Sequence, residues 1–187
     1  MIIGNGRLIT NCEDNLYFEN GAVRVVGELI EEVGTFEDLK ARFPDDEVID
    51  VGGRIIMPGM INAHTHIYSS YARGMGVSKP TRNFPEILEN LWWALDRSLT
   101  MEDCELSAYT TYIESIQNGV TTLFDHHASP NAAAGSLFTL ADAAKKIGIR
   151  GSFSMEVSDR DGEAITDAEI KENVDFIKAM NTDEQDM

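Results

Sequence analysis

The chain has 187 residues, 43% of them hydrophobic and 25% charged, a composition that builds a globular core rather than a disordered chain. Fifteen Lys and Arg stand against 32 Asp and Glu, a formal charge of −17 that repels phosphate and argues against nucleic acid and anionic membranes as partners. No apolar run approaches the ~18 residues of a membrane span. No basic segment precedes an apolar one at Met1, and Cys12 and Cys104 form no framework of spaced pairs, so a reduced, cytoplasmic setting is expected.

Residues 1–9 read as a strand around Gly4 and Gly6. Residues 22–26 and 28–33 flank Gly27 and are strand-forming, which predicts a hairpin turning at Gly27-Glu28. Phe36, Leu39 and Phe43 stand at helical spacing, predicting a short helix over 35–43 that Pro44-Asp45-Asp46 breaks. Residues 48–51 form a further strand, stopped by Gly52-Gly53. The pattern then changes. The apolar run from Arg54 predicts a strand ending in His64 and His66, followed by a long loop with Gly74, Gly76, Pro80 and Pro85. Such loops usually carry function inside a compact domain. Residues 84–97 read as helix, with Ile87, Leu88, Leu91 and Leu95 on one side.

From residue 100 strands and helices alternate. Thr100-Met101-Glu102-Asp103 is a capping box, with Leu106, Tyr109, Ile113 and Ile116 as the stripe behind it and Gly119 as the stop. A strand over 120–124 ends at Asp125-His126-His127. Leu137, Leu140, Ala141, Ala144 and Ile147 mark the next helix, and 149–157 the next strand. Thr166-Asp167-Ala168-Glu169 is a second capping box, backed by Ile170, Val174 and Ile177. The order predicts a parallel sheet with helical crossovers. Three such strands do not close a barrel, which takes about 250 residues. The sequence is therefore expected to be the front part of a larger protein, with Asp183-Glu184-Gln185-Asp186 as a solvated connection or a truncated end.

His64 and His66 carry the sharpest chemical signal. Residues i and i+2 of a strand share a face, so two imidazoles can converge there on one divalent metal at ~2.0–2.1 Å. Barrel enzymes place catalytic groups at such strand ends. The alternative is a pair of surface or hydrogen-bonded histidines. His126 and His127 follow the next strand, one ring facing the sheet mouth and the other packed outward. They are substrate contacts or proton shuttles, or they bond the strand end to its loop. Asp125 orients a neighbouring histidine or caps the following loop. Glu156 contacts substrate or forms an ion pair with Arg150 or Arg160. Trp92-Trp93 walls a substrate or packs a helix, and Tyr68 and Arg73 bind substrate or shape the rim. There is no Gly-x-Ser-x-Gly elbow, phosphate loop or Cys-x-x-Cys pair.

Pro58-Gly59-Met60-Ile61-Asn62-Ala63-His64-Thr65-His66, preceded by Ile49-Asp50-Val51-Gly52-Gly53-Arg54, resembles the signature of the metal-dependent amidohydrolase superfamily. The likeness continues through Tyr68-Ser69-Ser70-Tyr71-Ala72-Arg73-Gly74-Met75. Gly119-Val120-Thr121-Thr122-Leu123-Phe124-Asp125 resembles its second-strand signature, and Glu156-Val157-Ser158-Asp159-Arg160-Asp161-Gly162 stands where the third strand ends. Asn90-Leu91-Trp92-Trp93 and Asp125-His126-His127-Ala128-Ser129-Pro130 resemble the cytosine-deaminase-like aminohydrolase and chlorohydrolase branch, most of all the aminohydrolases called SsnA.

The resemblance implies an α/β fold: the N-terminal part of a small β-sandwich over 1–53, then the first three βα units of a (β/α)8 TIM-type barrel over 54–187. It implies a hydrolase of non-peptide C–N bonds that deaminates a small cyclic or amidine-type compound through a metal-activated water. His64 and His66 would ligate zinc, iron or another divalent ion. The family's other ligands, histidines of the fifth and sixth strands and an aspartate of the eighth, have no counterpart in this sequence. His126, His127 and Asp125 are the catalytic candidates, and Tyr68, Arg73, Trp93 and Glu156 the substrate-binding ones. A homodimer is expected for a full-length form, and inactivity for these 187 residues alone. A chlorohydrolase and a non-catalytic fragment or interaction module are the alternatives.

Overall fold

The computed structural model describes residues 1–14, 16–77 and 79–180, so the acidic stretch 183–186 lies outside the described residues. The chain divides into two compact units, Met1–Pro58 and Gly59–Met187. Among the described residues no helix is long and apolar enough to cross a membrane.

The first unit is a five-stranded sheet. Strands β1 (Ile2–Ile9), β2 (Tyr17–Val26) and β3 (Leu29–Thr35) are antiparallel neighbours, and β2 and β3 join at Gly27, whose φ is 60°. Ile2, Gly4, Gly6 and Leu8 are buried, the period of two expected of a strand with one covered face. Helix α1 (Phe36–Arg42) covers that face. Thr35 caps it by accepting the Asp38 N–H, and acidic and basic side chains stand at its first and last turns respectively, as the helix dipole favours. A Cβ on Gly4 would stand 2.3 Å from Phe36 Cδ2, so only glycine lets this aromatic ring settle on β1. Ile2, Ala22 and Leu39 form the small core, with Phe36 and Phe43 against it.

Strands β4 (Val48–Asp50) and β5 (Ile55–Ile56) both pair in parallel with β1, at Ile2↔Val48 and Arg7↔Ile55. Ile55 and Ile56 therefore belong to the first sheet, not to the strand that carries the histidines. The two left-handed glycines Gly52 and Gly53, at φ 59° and 78°, bend the chain back to β1.

The second unit holds three parallel strands in the order β6 (Met60–Thr65), β7 (Val120–His127) and β8 (Arg150–Met155). After β6 the chain runs through a 3-10 helix (Ile67–Ala72) and then the short helices α2 (Phe84–Ile87) and α3 (Trp93–Ser98), joined by a π-helical turn (Leu88–Trp92). Helix α4 (Met101–Gln117) connects to β7, and α5 (Ser136–Ile147) to β8. The main core gathers Ile67, Ala108, Tyr112, Leu123, Leu137 and Leu140, among others.

The capping box at Thr100 forms as predicted, with Thr100 and Asp103 bonding each other's backbone N–H. The face that α4 buries differs from the predicted stripe. Cys104, Ser107, Ala108 and Tyr112 are buried, while Leu106, Ile113 and Ile116 are 47%, 46% and 44% exposed. Tyr112 decides the orientation. Its large ring fills the core, and its hydroxyl donates to the Leu140 carbonyl at 3.1 Å. The stripe of α5, in contrast, is buried at Leu137, Leu140, Ala141 and Ala144 as its spacing predicts.

Helix α6 (Glu163–Met180) overturns two expectations. It begins three residues before the predicted capping box. Thr166 lies inside its first turn and donates its hydroxyl to Ser158 O and Gly162 O. Its buried face is Glu169, Glu172 and Phe176, and Ile170, Val174 and Ile177 stay exposed. The reason is a demand for acceptors. Glu172 accepts the Gly135 and Leu137 N–H groups at 2.7 and 2.9 Å, where α5 begins without a capping side chain. Glu169 accepts the Ser158 N–H at 3.0 Å. Unpartnered donors there would be costly. Glu172→Ala is accordingly expected to lower stability by about 2–4 kcal/mol, since each orphaned buried N–H costs ~1–3 kcal/mol. Ile177→Ala, at a 60% exposed position, should cost under ~1 kcal/mol. Urea midpoints of the two variants check this, and equal losses would contradict it.

Candidate metal and substrate site

Strand β6 ends at the pair of histidines. His64 lies in the strand and His66 one residue past its end, where the 3-10 helix starts. Their Nε2 atoms face each other at 2.9 Å. His66 Nδ1 lies 3.1 Å from the His126 carbonyl oxygen, which can only accept. Nδ1 therefore carries the proton, and Nε2 keeps its lone pair turned toward His64. Two nitrogens bound at ~2.05 Å to one tetrahedral ion stand about 3.3 Å apart. The observed pair is near that spacing, and its donor set suits a divalent transition metal. Among the described residues no group of three or more His, Cys, Asp and Glu is placed to hold a metal.

Strand β7 alternates at its end. Asp125 and His127 are buried, whereas the intervening His126 sits with its ring centroid 5.4 Å from that of His66. One ring faces the mouth and the other packs away from it, as the alternation predicts. Asp125 is 5% exposed and accepts the Ile67 N–H through Oδ1 at 2.7 Å. It thus anchors the backbone just after His66 and orients no histidine ring. Burial raises its pKa to about 7, against the smaller opposing effect of that hydrogen bond. His127 is fully buried, with Nε2 2.8 Å from Ser129 Oγ and 3.6 Å from Cys104 Sγ. Burial lowers its pKa to about 3, so the ring is neutral. Asp125 and His127 thus both lie buried behind the histidine pair.

Beside the histidines lies a cleft of about 300 Å³. Tyr68, Phe84, Trp92 and Trp93 supply aromatic walls, and His66 and His126 line it too. Asp96, Glu156 and Arg160 add charged groups. Arg160 pairs with Asp96 at 2.6 Å and with Glu156 at 3.0 Å, and its guanidinium lies 5.5 Å from the Trp93 ring centre. Glu156 lines the cleft and, of the two arginines its sequence position offered, pairs with Arg160. Asp96 is 1% exposed, and burial lifts its pKa to about 6 in spite of Arg160. Burial likewise lowers the pKa of His126. Arg73 does not line the cleft. It pairs with Glu114 of α4 at 3.2 Å on an open surface. A wider groove of about 600 Å³ runs beside β8, and among the described residues Lys145 is its single ionisable lining side chain.

Sequence reasoning missed Asp96. Its signal was an acid directly after the apolar run Trp92–Leu95, four residues on from Trp92. Phe84 and Leu88 were also missed as lining residues, since nothing in their spacing tells a cleft-lining apolar side chain from a core one.

The Amidohydrolase family profile matches residues 55–184, and an imidazolonepropionase-like composite domain of bacteria matches residues 21–45. A 5-methylthioadenosine/S-adenosylhomocysteine deaminase of Pyrococcus furiosus is 29% identical over 184 residues, covering 94% of this chain and 38% of that protein. A 5′-deoxyadenosine deaminase of Methanobrevibacter smithii is 30% identical over 164 residues, covering 86% of this chain and 34% of the relative. Among solved structures, guanine deaminase of E. coli superposes with a TM-score of 0.76 at 20% identity, over 98% of this chain and 44% of its own. Zinc-complexed atrazine chlorohydrolase TrzN of Arthrobacter aurescens gives 0.72 at 22% identity, over 97% and 43%. These structural likenesses concern the fold. The chain spans about two fifths of the length of the relatives it matches.

Proposed function

The chain belongs to the amidohydrolase family, and from that premise we propose that it forms part of a metal-dependent hydrolase that deaminates a small cyclic or amidine-type compound. The observation that carries this reading is the facing pair of Nε2 atoms, 2.9 Å apart, on His64 and His66, the second of which lines an aromatic cleft. The deaminase names of the relatives support an amine as leaving group. We read the first sheet as the opening part of a β-sandwich and β6–β8 as the first strands of a (β/α)8 barrel, with a homodimer as the assembled form.

In this reading His64 and His66 hold a divalent ion, with zinc favoured by their all-nitrogen donors. Such an ion, when bound, supplies an activated water near neutral pH. The protein's own part is positioning. The His126 carbonyl fixes the His66 ring through Nδ1–H, and Asp125 fixes the backbone that follows. Trp92 and Trp93 flank a flat ring. His126 lines the cleft next to His66, and burial lowers its pKa, which favours the neutral ring that can accept a proton.

In the polypeptide that carries these residues, ammonia release from aminated heterocycles is expected and should stop on chelation of the metal. Release that persists undiminished in chelator would contradict the proposal.

A further inference from the structure

The residue after His66 is held at both of its backbone polar groups. Ile67 is fully buried, and its N–H donates to Asp125 Oδ1 of β7 at 2.7 Å. Its carbonyl accepts the Ser70 hydroxyl at 2.7 Å. Ser70 Oγ in turn lies 2.5 Å from Thr111 Oγ1 of α4. A hydroxyl carries one proton, and Ser70 gives its own to Ile67, so Thr111 is the donor to Ser70. A chain of hydrogen bonds thus runs from α4 through Thr111 and Ser70 to the residue beside His66. His66 itself is exposed, so packing does little to aim its ring. The ring's direction depends on the backbone from which it projects and on its Nδ1 bond to the His126 carbonyl at 3.1 Å.

Resting on the proposed reading of His64 and His66 as metal ligands, we propose that Ser70 and Thr111 are positioning residues for that pair. They fix the backbone that follows His66 and so keep the two Nε2 atoms facing each other at 2.9 Å. Among the described residues neither hydroxyl bonds either histidine, so the action passes through Ile67. Partners that hold a ligand directly carry about 10–100-fold in metal affinity. Acting one residue further away, this chain belongs at the lower end, about tenfold.

Two readings on the purified chain test this. Zinc affinity comes from competition with a chromophoric chelator. The His66 tautomer comes from long-range proton–nitrogen spectra in EDTA at about pH 8, above the ordinary histidine pKa of about 6.5. Ser70→Ala and Thr111→Val should each weaken zinc binding about tenfold and turn the single Nδ1–H tautomer of His66 into a mixture. Thr111→Ser keeps the hydroxyl and should match the unaltered chain in both readings. Tyr71→Phe is the control. The Tyr71 hydroxyl also ties the 3-10 helix to α4, 2.8 Å from Thr110 Oγ1, but is not bonded to Ile67. Its loss should lower the urea midpoint and leave zinc affinity within about twofold. Unchanged zinc affinity or an unchanged tautomer in folded Ser70→Ala would overturn the proposal. So would an equal loss of affinity in Tyr71→Phe, or a Thr111→Ser variant as weak as Thr111→Val. Failure of the metal reading shows separately, as no zinc bound to the unaltered chain while the tautomer still responds to Ser70→Ala.

Discussion

Replacing His64 and His66 together by alanine is expected to weaken zinc binding by more than ~100-fold, because loss of a ligand's supporting partner alone costs about 10–100-fold. Both side chains are exposed. The fold should therefore survive, with unfolding free energy changed by less than about 0.5 kcal/mol per site. The single variants separate the two contributions. His66→Ala loses a ring oriented by the His126 carbonyl, and His64→Ala loses its facing partner. Competition titration against a chromophoric chelator reads the affinity, and an unchanged value in the double variant would exclude the pair as ligands. With two protein nitrogens where catalytic zinc sites carry three protein ligands, the 187 residues alone should bind the metal without releasing ammonia.

Asp125→Asn is expected to stabilise the chain by about 4 kcal/mol at pH 8 and to leave it nearly unchanged at pH 4. The folded-state pKa is about 7 against an ordinary 3.8, so between those values the native protein binds a proton that the unfolded chain releases. Stability from this group is therefore greatest below pH ~4 and falls as pH rises to ~7, by about 1.36 kcal/mol for each pH unit between the two pKa values. Asparagine keeps the oxygen that accepts the Ile67 N–H and removes the charge. His127, with a folded pKa of about 3, acts in the opposite direction between pH ~3 and ~6.5. It is present in both proteins and cancels in their difference. Urea unfolding at pH 4, 6 and 8 gives that difference, and a flat profile would contradict the assignment of Asp125 as a buried acid.

The strands and their order were legible because glycine and proline punctuate them and the buried runs are short. His64 and His66 were legible for a related reason: a period of two on a strand translates directly into a shared face. Helix faces were less so. Spacing alone marks Leu106–Ile116 and Ile170–Ile177 as core stripes, yet Tyr112, Glu169 and Glu172 take the buried faces. In each case a hydrogen bond to a distant backbone group settles the orientation, and such a bond leaves no mark on local periodicity. Ile55 and Ile56 show the same limit, since an apolar pair does not reveal which of two sheets it joins. The cleft's polar wall depends on Arg160 reaching Asp96 across 64 residues, a pairing that a single sequence does not announce.

The proposed chemistry stands or falls on whether the His64 and His66 Nε2 atoms share one divalent ion. A crystal structure of the zinc-soaked chain, with anomalous scattering recorded on both sides of the zinc edge, decides the matter. One strong peak is expected within ~2.0–2.2 Å of both Nε2 atoms. Zinc bound instead at the Asp96–Glu156 wall, or at only one of the two rings, would contradict it.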